Sequence, residues 1–380
     1  MEGFVYRRFA AVAKKEFLHV IRDWRSLVLA IAIPIFLISL FGWALNMDLT
    51  DVPTAVWDQS RTPESRELLS LFEGSPYFSV DHHVDSFRQL RSLVDKGSAM
   101  VALTISSDFA DRVRAGKDTE IQAVVDGSDA NNANLALGYV TAVGHIYNAR
   151  LAVAATRSRG LGDPKALVTL EPRAWYNPDL KSKNVVIPGI IALVMVVLAA
   201  MLTSVTVARE WETGTMERLI STPIRVPELV LGKVVPYFVV GMTDVAISVF
   251  MSRFIFHVPI RGSLGLLFAA SAVFLAGALF LGLFLSIALK TQVLANQIAL
   301  FSGYLPTLFL SGFVFGIHNM PQAIQALTYV VPARYFIAML RGIYLKGVGL
   351  EVLWADALLL ALYAALMIFL AHRKMKLMLD

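Results

Sequence analysis

The sequence predicts a mainly α, polytopic membrane protein with six transmembrane helices and an α/β extracytoplasmic domain inserted between helices 1 and 2. Three observations carry that expectation. The 380 residues are 56% hydrophobic and 17% charged, with a mean hydropathy of +0.61, where a soluble domain is about 45–50% apolar and about 25% charged. Six apolar runs come close to the ~20 residues that cross ~30 Å of hydrocarbon. One long interval between two of those runs alternates strand-like and helix-like stretches, the pattern of an α/β domain. Cysteine is absent, which removes disulfides, thiolate nucleophiles and Cys-based metal sites.

Residues 1–26 come first. Phe9, Val12, Ala13, Phe17, Val20, Ile21 and Trp24 share one face at helical spacing, and Arg7, Arg8, Lys14, Lys15, Arg22 and Arg25 gather opposite. Such a helix lies in the headgroup layer, or packs on a soluble partner. The spans follow at 27–45, 185–207, 234–256, 264–289, 293–313 and 352–370. An even number places both termini on one side. The basic arm and the tail 371–380, with Arg373, Lys374 and Lys376, put that side in the cytoplasm. The net charge of +5 is thus distributed by membrane side, and no nucleic-acid partner is expected. Asn46-Met47-Asp48 follows the first run in place of a small-residue cleavage pattern, so that run is not a removed signal peptide.

The interval 46–184, about 140 residues, is long enough for one domain. Strands are expected at 54–60, 77–84, 100–106 and 120–128. Helices are expected at 63–72, opening on Pro63, at 85–96, at 107–115 capped by Ser107, and at 132–158. His82 and His83 are adjacent, so on a strand they point to opposite faces and cannot chelate one ion together. Asp126 and Asp129 flank Gly127 as in a turn, without the distal glutamate of a calcium loop. No metal site and no cofactor bound by this chain are expected.

No G-x-x-x-x-G-K-[ST] occurs, and Gly232-Lys233 lacks its upstream glycine and following hydroxyl. With no nucleophile and base pair evident either, the chain itself is not expected to be an enzyme. The segment 208–233 is then a cytoplasmic loop of about 25 residues. Glu210, Trp211, Glu217, Arg218 and Leu219 fit a short amphipathic helix, Gly214 breaks it, and Thr222-Pro223 and Val226-Pro227 stiffen the exit. A bent, ordered element on that face offers a soluble partner a grip.

That loop, with SGFVFGIHNMP (311–321), VPARYFIAMLRGIYLKG (331–347), WDQSRTPESRELL and VVDGSDANNA, closely resembles permease subunits of type 2 ATP-binding cassette exporters, in the drug-exporter-like branch with a large extracytoplasmic domain. The resemblance covers essentially the whole chain. Gly316 and His318 stand where the family usually has Pro and Glu. It implies that the loop is a coupling helix seated in a groove of a separate ATPase, with Glu210, Thr213, Gly214, Thr215, Glu217 and Arg218 as the transmission surface. It also implies ATP and Mg on that partner, a second permease subunit, same or homologous, room for an extracytoplasmic membrane fusion protein, and residence in a bacterial inner membrane. Residues 314–351, broken by Pro321 and Pro332 and charged at Arg334, Arg341 and Lys346, correspond to an outer re-entrant hairpin; further full spans are the competing reading.

Within the spans, Asp244 stands out, because a lone carboxylate there costs roughly 2.5–3.5 kcal/mol on insertion scales. It contacts a cationic substrate or proton, or it is a buried structural acid, and Arg253 could meet it only through neighbours. Thr203, Ser204 and Thr206 on the second span, and Asn296, Gln297, Ser302 and Tyr304 on the fifth, are further candidates for the pathway or for bonds between helices. Gly312-x-x-x-Gly316 and Pro306 allow close packing or a kink in the fifth helix. The expected function is ATP-driven export of a hydrophobic or amphipathic molecule. The alternative is a mechanical transmitter that passes nothing between its helices and works on an outer partner.

Overall fold

A computed structural model describes residues 5–44, 49–158, 176 and 181–379. The chain is mainly helical and divides into two compact units, one of residues 1–46 with 174–380 and one of residues 47–173. It opens with α1 (Tyr6–Arg22) and α2 (Trp24–Ala44). The apolar part of α2 is Ala30–Trp43, shorter than a full crossing. Leu45 and the Asn46-Met47-Asp48 step lie outside the described residues.

The second unit runs β1 (Val52–Asp58), α3 (Pro63–Glu73), β2 (Phe78–His83), α4 (Phe87–Asp95), β3 (Val101–Ile105), α5 (Phe109–Arg114), β4 (Ile121–Val125) and α6 (Ala130–Ser158). The sheet order is β2-β1-β3-β4, parallel across its first three strands and antiparallel at β4. Alternation along β1 sends Val52 and Val56 into a core with Leu68, Phe72, Phe109 and Tyr147, and Ala55 into a smaller one with Leu90. Helices therefore cover both faces. Thr62 caps α3 in a capping box with Ser65, and Ser86 caps α4. The expected cap at Ser107 is displaced: α5 begins at Phe109 after Asp108, whose carboxylate pairs forward with Arg112 at 3.6 Å. Asp126 accepts from the Ser128 amide at 2.9 Å and Asp129 from the Asn132 amide at 3.2 Å, so both acids serve a turn.

The first unit resumes with α7 (Lys183–Thr203), α8 (Thr206–Glu212), α9 (Thr215–Ile220) and α10 (Val226–Phe250), which ends in a π turn, Met251–Ile255. Next come α11 (Leu264–Leu289), α12 (Gln292–Leu310), a 3-10 turn at Ile317–Asn319, α13 (Gln322–Thr328), α14 (Pro332–Arg341) with a π turn at Gly342–Lys346, and α15 (Leu350–Leu379). Among the described residues α7, α10, α11, α12 and α15 are long and apolar enough to cross a bilayer. The pair α13 and α14, bent by 82°, makes a sixth if counted as one span. The chain is an integral membrane protein. Burial is unequal: 78% of the apolar window of α7 is enclosed but only 22% of that of α12. The centre of the unit is therefore α7, and α12 turns a face outward.

The fifth apolar run stops short of its expected end. α12 closes at Leu310, and Gly312, at φ +80°, turns the chain out of the helix, so the Gly312 and Gly316 pair does not pack that helix. Gly303 makes the close approach instead, since a Cβ there would lie 2.5 Å from Val196 Cγ1.

Candidate functional site

The segment between α7 and α10 turns twice. Two amides at the start of α8, those of Val207 and Ala208, donate to Ser286 Oγ of α11 at 3.1 and 3.0 Å, which satisfies donors that a helix start leaves open. α8 ends at Glu212, Gly214 takes φ +69°, and α9 begins at Thr215. Nothing lies within 4 Å of a Cβ built on Gly214, so the glycine is required for its backbone angle alone. The hydroxyls of Thr213 and Thr215 reach carbonyls of the preceding turn, to Arg209 at 2.8 Å and to Glu210 at 3.3 Å. They hold the bend shut.

The outward face of this bend comprises Glu212, Thr213, Gly214, Thr215, Glu217 and Arg218, all exposed, with Met216 buried behind them. Glu212 also accepts from the Gln292 amide at 2.9 Å, and Arg209 donates to the Gln292 side chain at 3.2 Å, so the start of α12 is tied to the same element. Lys290 stacks its ammonium over the Trp211 ring at 4.4 Å.

Glu210 is placed differently from the rest of the expected transmission surface. It is buried at 8% exposure and points inward. Lys15 of α1 donates to its Oε1 at 2.7 Å, and the ammonium of Lys233 on α10 lies 2.8 Å from its Oε2. Lys233, 1% exposed, also donates to Glu16 Oε1 at 3.0 Å, and the Tyr237 hydroxyl donates to Glu16 Oε2 at 3.4 Å. Two lysines and two glutamates thus close a cluster, buried except at Lys15, that joins α1, α8 and α10. Burial alone would raise the Glu210 carboxyl, but Lys233 and Lys15 hold it below the usual carboxylate range. Burial works against the charge on Lys15, and its bond to Glu210 nonetheless raises its pKa.

Neither Glu16 nor Lys233 stands out in the sequence as functional. A signal was present: Val12, Glu16 and Val20 are spaced four apart, which sets an acid in the apolar face of α1, and Lys233 interrupts an apolar run. The steric fit is equally close. A Cβ on Gly232 would lie 2.7 Å from Val12 Cβ, so α1 and α10 touch backbone to side chain beside the ion pair. At the far end, the Val5 amide donates to Glu228 Oε1 at 2.8 Å, and Arg8 donates to the Pro223 carbonyl at 2.6 Å. The apolar face of α1 is consequently divided. Val12 is buried against the protein, while Phe17, Leu18 and Ile21 remain exposed.

The expected pathway residues separate into three places. Thr203 Oγ1 donates within reach of the Ala199 carbonyl, 2.8 Å, and the Leu279 carbonyl, 2.9 Å, and so joins α7 to α11. Ser204 donates to Asn296 at 3.3 Å and joins α7 to α12. Gln297 and Ser302 lie on the exposed face of α12, with Tyr304 half-buried. Asp244 is 1% exposed, and neither carboxylate oxygen has a hydrogen-bond partner among the described residues. Arg253 is exposed on the π turn. In the bent segment, Arg341 donates to the Phe313 carbonyl at 3.4 Å, and Arg334 stacks over Tyr329 at 3.9 Å.

Comparison with known proteins places these features in a lineage. Residues 24–373 match the family described as ABC-2 family transporter protein. The chain is 37% identical over 378 residues to the probable multidrug ABC transporter permease YbhS of Escherichia coli strain K12, covering 99% of this chain and 98% of the relative. It is 27% identical over 351 residues to the permease YbhR of the same strain, covering 92% and 93%. It is also 21% identical over 376 residues to ABC transporter G family member 20 of Dictyostelium discoideum, of which it spans 50%.

Proposed function

The chain belongs to the ABC-2 family of transporters and is a permease of an ABC transporter, and from that premise we propose that it exports a hydrophobic or amphipathic molecule, of the multidrug kind named for its relatives, using ATP hydrolysed on a separate subunit. The observation that carries the coupling part is the two-sided bend of α8 and α9. Its outer residues, Thr213, Gly214, Thr215, Glu217 and Arg218, are free to enter a groove of the ATPase. Its inner residue, Glu210, is bolted to α1 and α10 through Lys15 and Lys233. A push on the outer face would therefore move three helices as one body, because breaking the buried pairs costs about 3–5 kcal/mol.

We assign six spans, α2, α7, α10, α11, α12 and α15, with both termini cytosolic, in a bacterial inner membrane. The segment 46–184 is then extracytoplasmic and is the surface available to a membrane fusion protein. The bent pair α13 and α14 is an outer re-entrant hairpin, since Arg334 and Arg341 both spend their charge on protein groups there. The exposed face of α12 meets a second permease copy or homologue, with Gln297 and Ser302 facing the pathway between them. Thr203, Ser204 and Asn296 hold the wall together behind it. ATP and Mg bind the partner ATPase and not this chain. Asp244 remains the acid we would test for contact with cationic cargo.

The test is transport by the permease and its ATPase alone in proteoliposomes. Gly214→Val, which disfavours the left-handed backbone at φ +69°, is expected to leave ATP hydrolysis running while export falls at least about tenfold, a loss of roughly 1.4 kcal/mol of coupling. Export at the unaltered rate in Gly214→Val and Glu217→Ala together would end the coupling assignment. ATP-dependent action on an outer partner with no cargo movement would replace export by mechanical transmission.

A further inference from the structure

The second unit holds a cavity of about 300 Å³ that none of the roles above uses. It lies between α3, β3, β4 and α6. Leu68 and Phe72 of α3 and Leu103 of β3 form its floor, and each is at most 2% exposed. Ile121 of β4 and Val140 of α6, both half-buried, make the walls. The mouth belongs to α6, where Thr141, His145 and Asn148 are exposed. Among the described residues the lining holds no Asp, Glu, Lys or Arg.

Gly144 shows that the space is kept rather than left over. It is half-buried in the middle of α6 on the cavity lining, its φ is not left-handed, and a Cβ built on it meets nothing within 4 Å. Neither backbone angle nor close packing asks for glycine there, and glycine weakens a helix interior relative to alanine. Gly189, Gly232 and Gly303 are the opposite case, since a Cβ on any of them would come within 2.7 Å of a neighbouring side chain. Those three seat a neighbour; Gly144 seats none. The polar groups at the mouth are also unspent. His145 follows Thr141 by four residues and precedes Asn148 by three, so all three share the face of α6 that carries Gly144. The Thr141 hydroxyl donates back to the Leu137 carbonyl at 2.8 Å, whereas the side chains of His145 and Asn148 have no partner among the described residues. Between them they offer a donor and an acceptor.

Size and lining select the ligand. An apolar cavity of about 150 Å³ takes benzene, so twice that volume has room for two fused rings. A charged molecule would surrender its hydration to a floor that returns no counter-charge. An uncharged one with a single hydroxyl, amide or ring N–H at the mouth keeps that group bonded. We propose that this cavity binds one uncharged molecule of fused-ring size, its rings against Leu68, Phe72 and Leu103 and its one polar group hydrogen-bonded to His145 or Asn148. The site lies within one unit and rests on no part of the export reading.

The experiment uses the full chain in nanodiscs, irradiated with 6-azido-2-naphthol and mapped by peptide. Label is expected on the peptides that carry Phe72, Leu103 and Val140, above a background on the exposed Phe301 and Phe309 of α12, which serves as internal standard. Unlabelled 2-naphthol should displace it. Naphthalene should need about three- to tenfold more, the loss of one neutral hydrogen bond, and naphthalene-2-sulfonate should not displace it. Gly144→Leu fills the cavity and should cut its label at least about tenfold relative to the background. Leucine is the better helix former, so thermal unfolding of that variant should come no earlier than that of the unaltered chain. Val140→Phe fills the same space from the wall and should lower the label in the same direction. His145→Ala with Asn148→Ala should erase the difference between 2-naphthol and naphthalene, which a merely structural role would not do. Label no higher than the background, or unchanged in both filling variants, overturns the site. Equal displacement by the sulfonate overturns the uncharged class, and equal displacement by naphthalene overturns the hydrogen bond at the mouth. A changed number of copies in the assembly of Gly144→Leu, with labelling unaltered, makes the face a protein contact instead. Export is measured at no step, so failure of either reading leaves the other standing.

Discussion

Lys233 and Asp244 stand on the same helix, α10, and are equally buried at 1% exposure, yet they are provided for in opposite ways. Lys233 has two carboxylates from two other helices within 3.0 Å. Asp244 has no hydrogen-bond partner among the described residues. A charge taken from water must be compensated or it is a standing cost. The pairing of Lys233 identifies a place where the fold needs three elements to stay together. The lack of pairing at Asp244 identifies a place where the fold gains nothing from the charge.

The contrast breaks or sharpens under three measurements. The largest effect is expected from Lys233→Met, which strands Glu16 and Glu210 and should destabilise the purified chain by about 3–5 kcal/mol in thermal or denaturant unfolding. Adding Glu16→Gln to it should recover part of that loss, because one fewer lone charge stays buried. A single Lys233→Met with unaltered stability would dissolve the distinction. Asp244→Asn comes next and with the opposite sign: removing an unpaired carboxylate should leave stability equal or raise it, by up to the roughly 2.5–3.5 kcal/mol that such a charge costs at mid-membrane. Destabilisation there comparable to that of Lys233→Met would mean that Asp244 is structural after all.

The smallest effect concerns pH. Glu210 has a folded pKa below its unfolded one, so its contribution is complete above the ordinary glutamate range, near about 4.3, and is lost as pH falls through the folded value. Lys15, raised in the fold, contributes below the ordinary lysine value and loses that contribution as pH climbs through the folded one. Lys15→Gln should therefore make the acid fall of stability smaller and end it at a higher pH, by less than about 1 kcal/mol since Lys15 is half exposed to solvent. An identical acid limb in both proteins would show that Lys233 alone holds Glu210 ionised.

How far this could be read in advance differs by element. The strands and helices of residues 49–158 follow local rules, alternation and hydroxyl caps, and lie within two or three residues of expectation; the cap at Ser107 fails because two serines and an aspartate in a row offer rival starts. The bend at Gly214 is legible because a lone glycine between hydroxyl residues has few other uses. The cluster of Glu16, Glu210 and Lys233 is not, because its members lie far apart in the chain and meet only after three helices pack. Asp244 is the reverse. Its oddity is visible in the sequence, and the fold adds that its neighbours leave it alone.

Gly232 and Lys233 are adjacent, and together they remove two different freedoms from α1. The missing Cβ of Gly232 seats Val12 at a distance no side chain would permit, which prevents α1 from sliding along α10. The ion pair to Glu16 sits to one side of that notch and prevents α1 from rolling. A rod held against both translation and spin can only swing with its mount. Any tilt of α10 is therefore carried over to α1 with no slack in between.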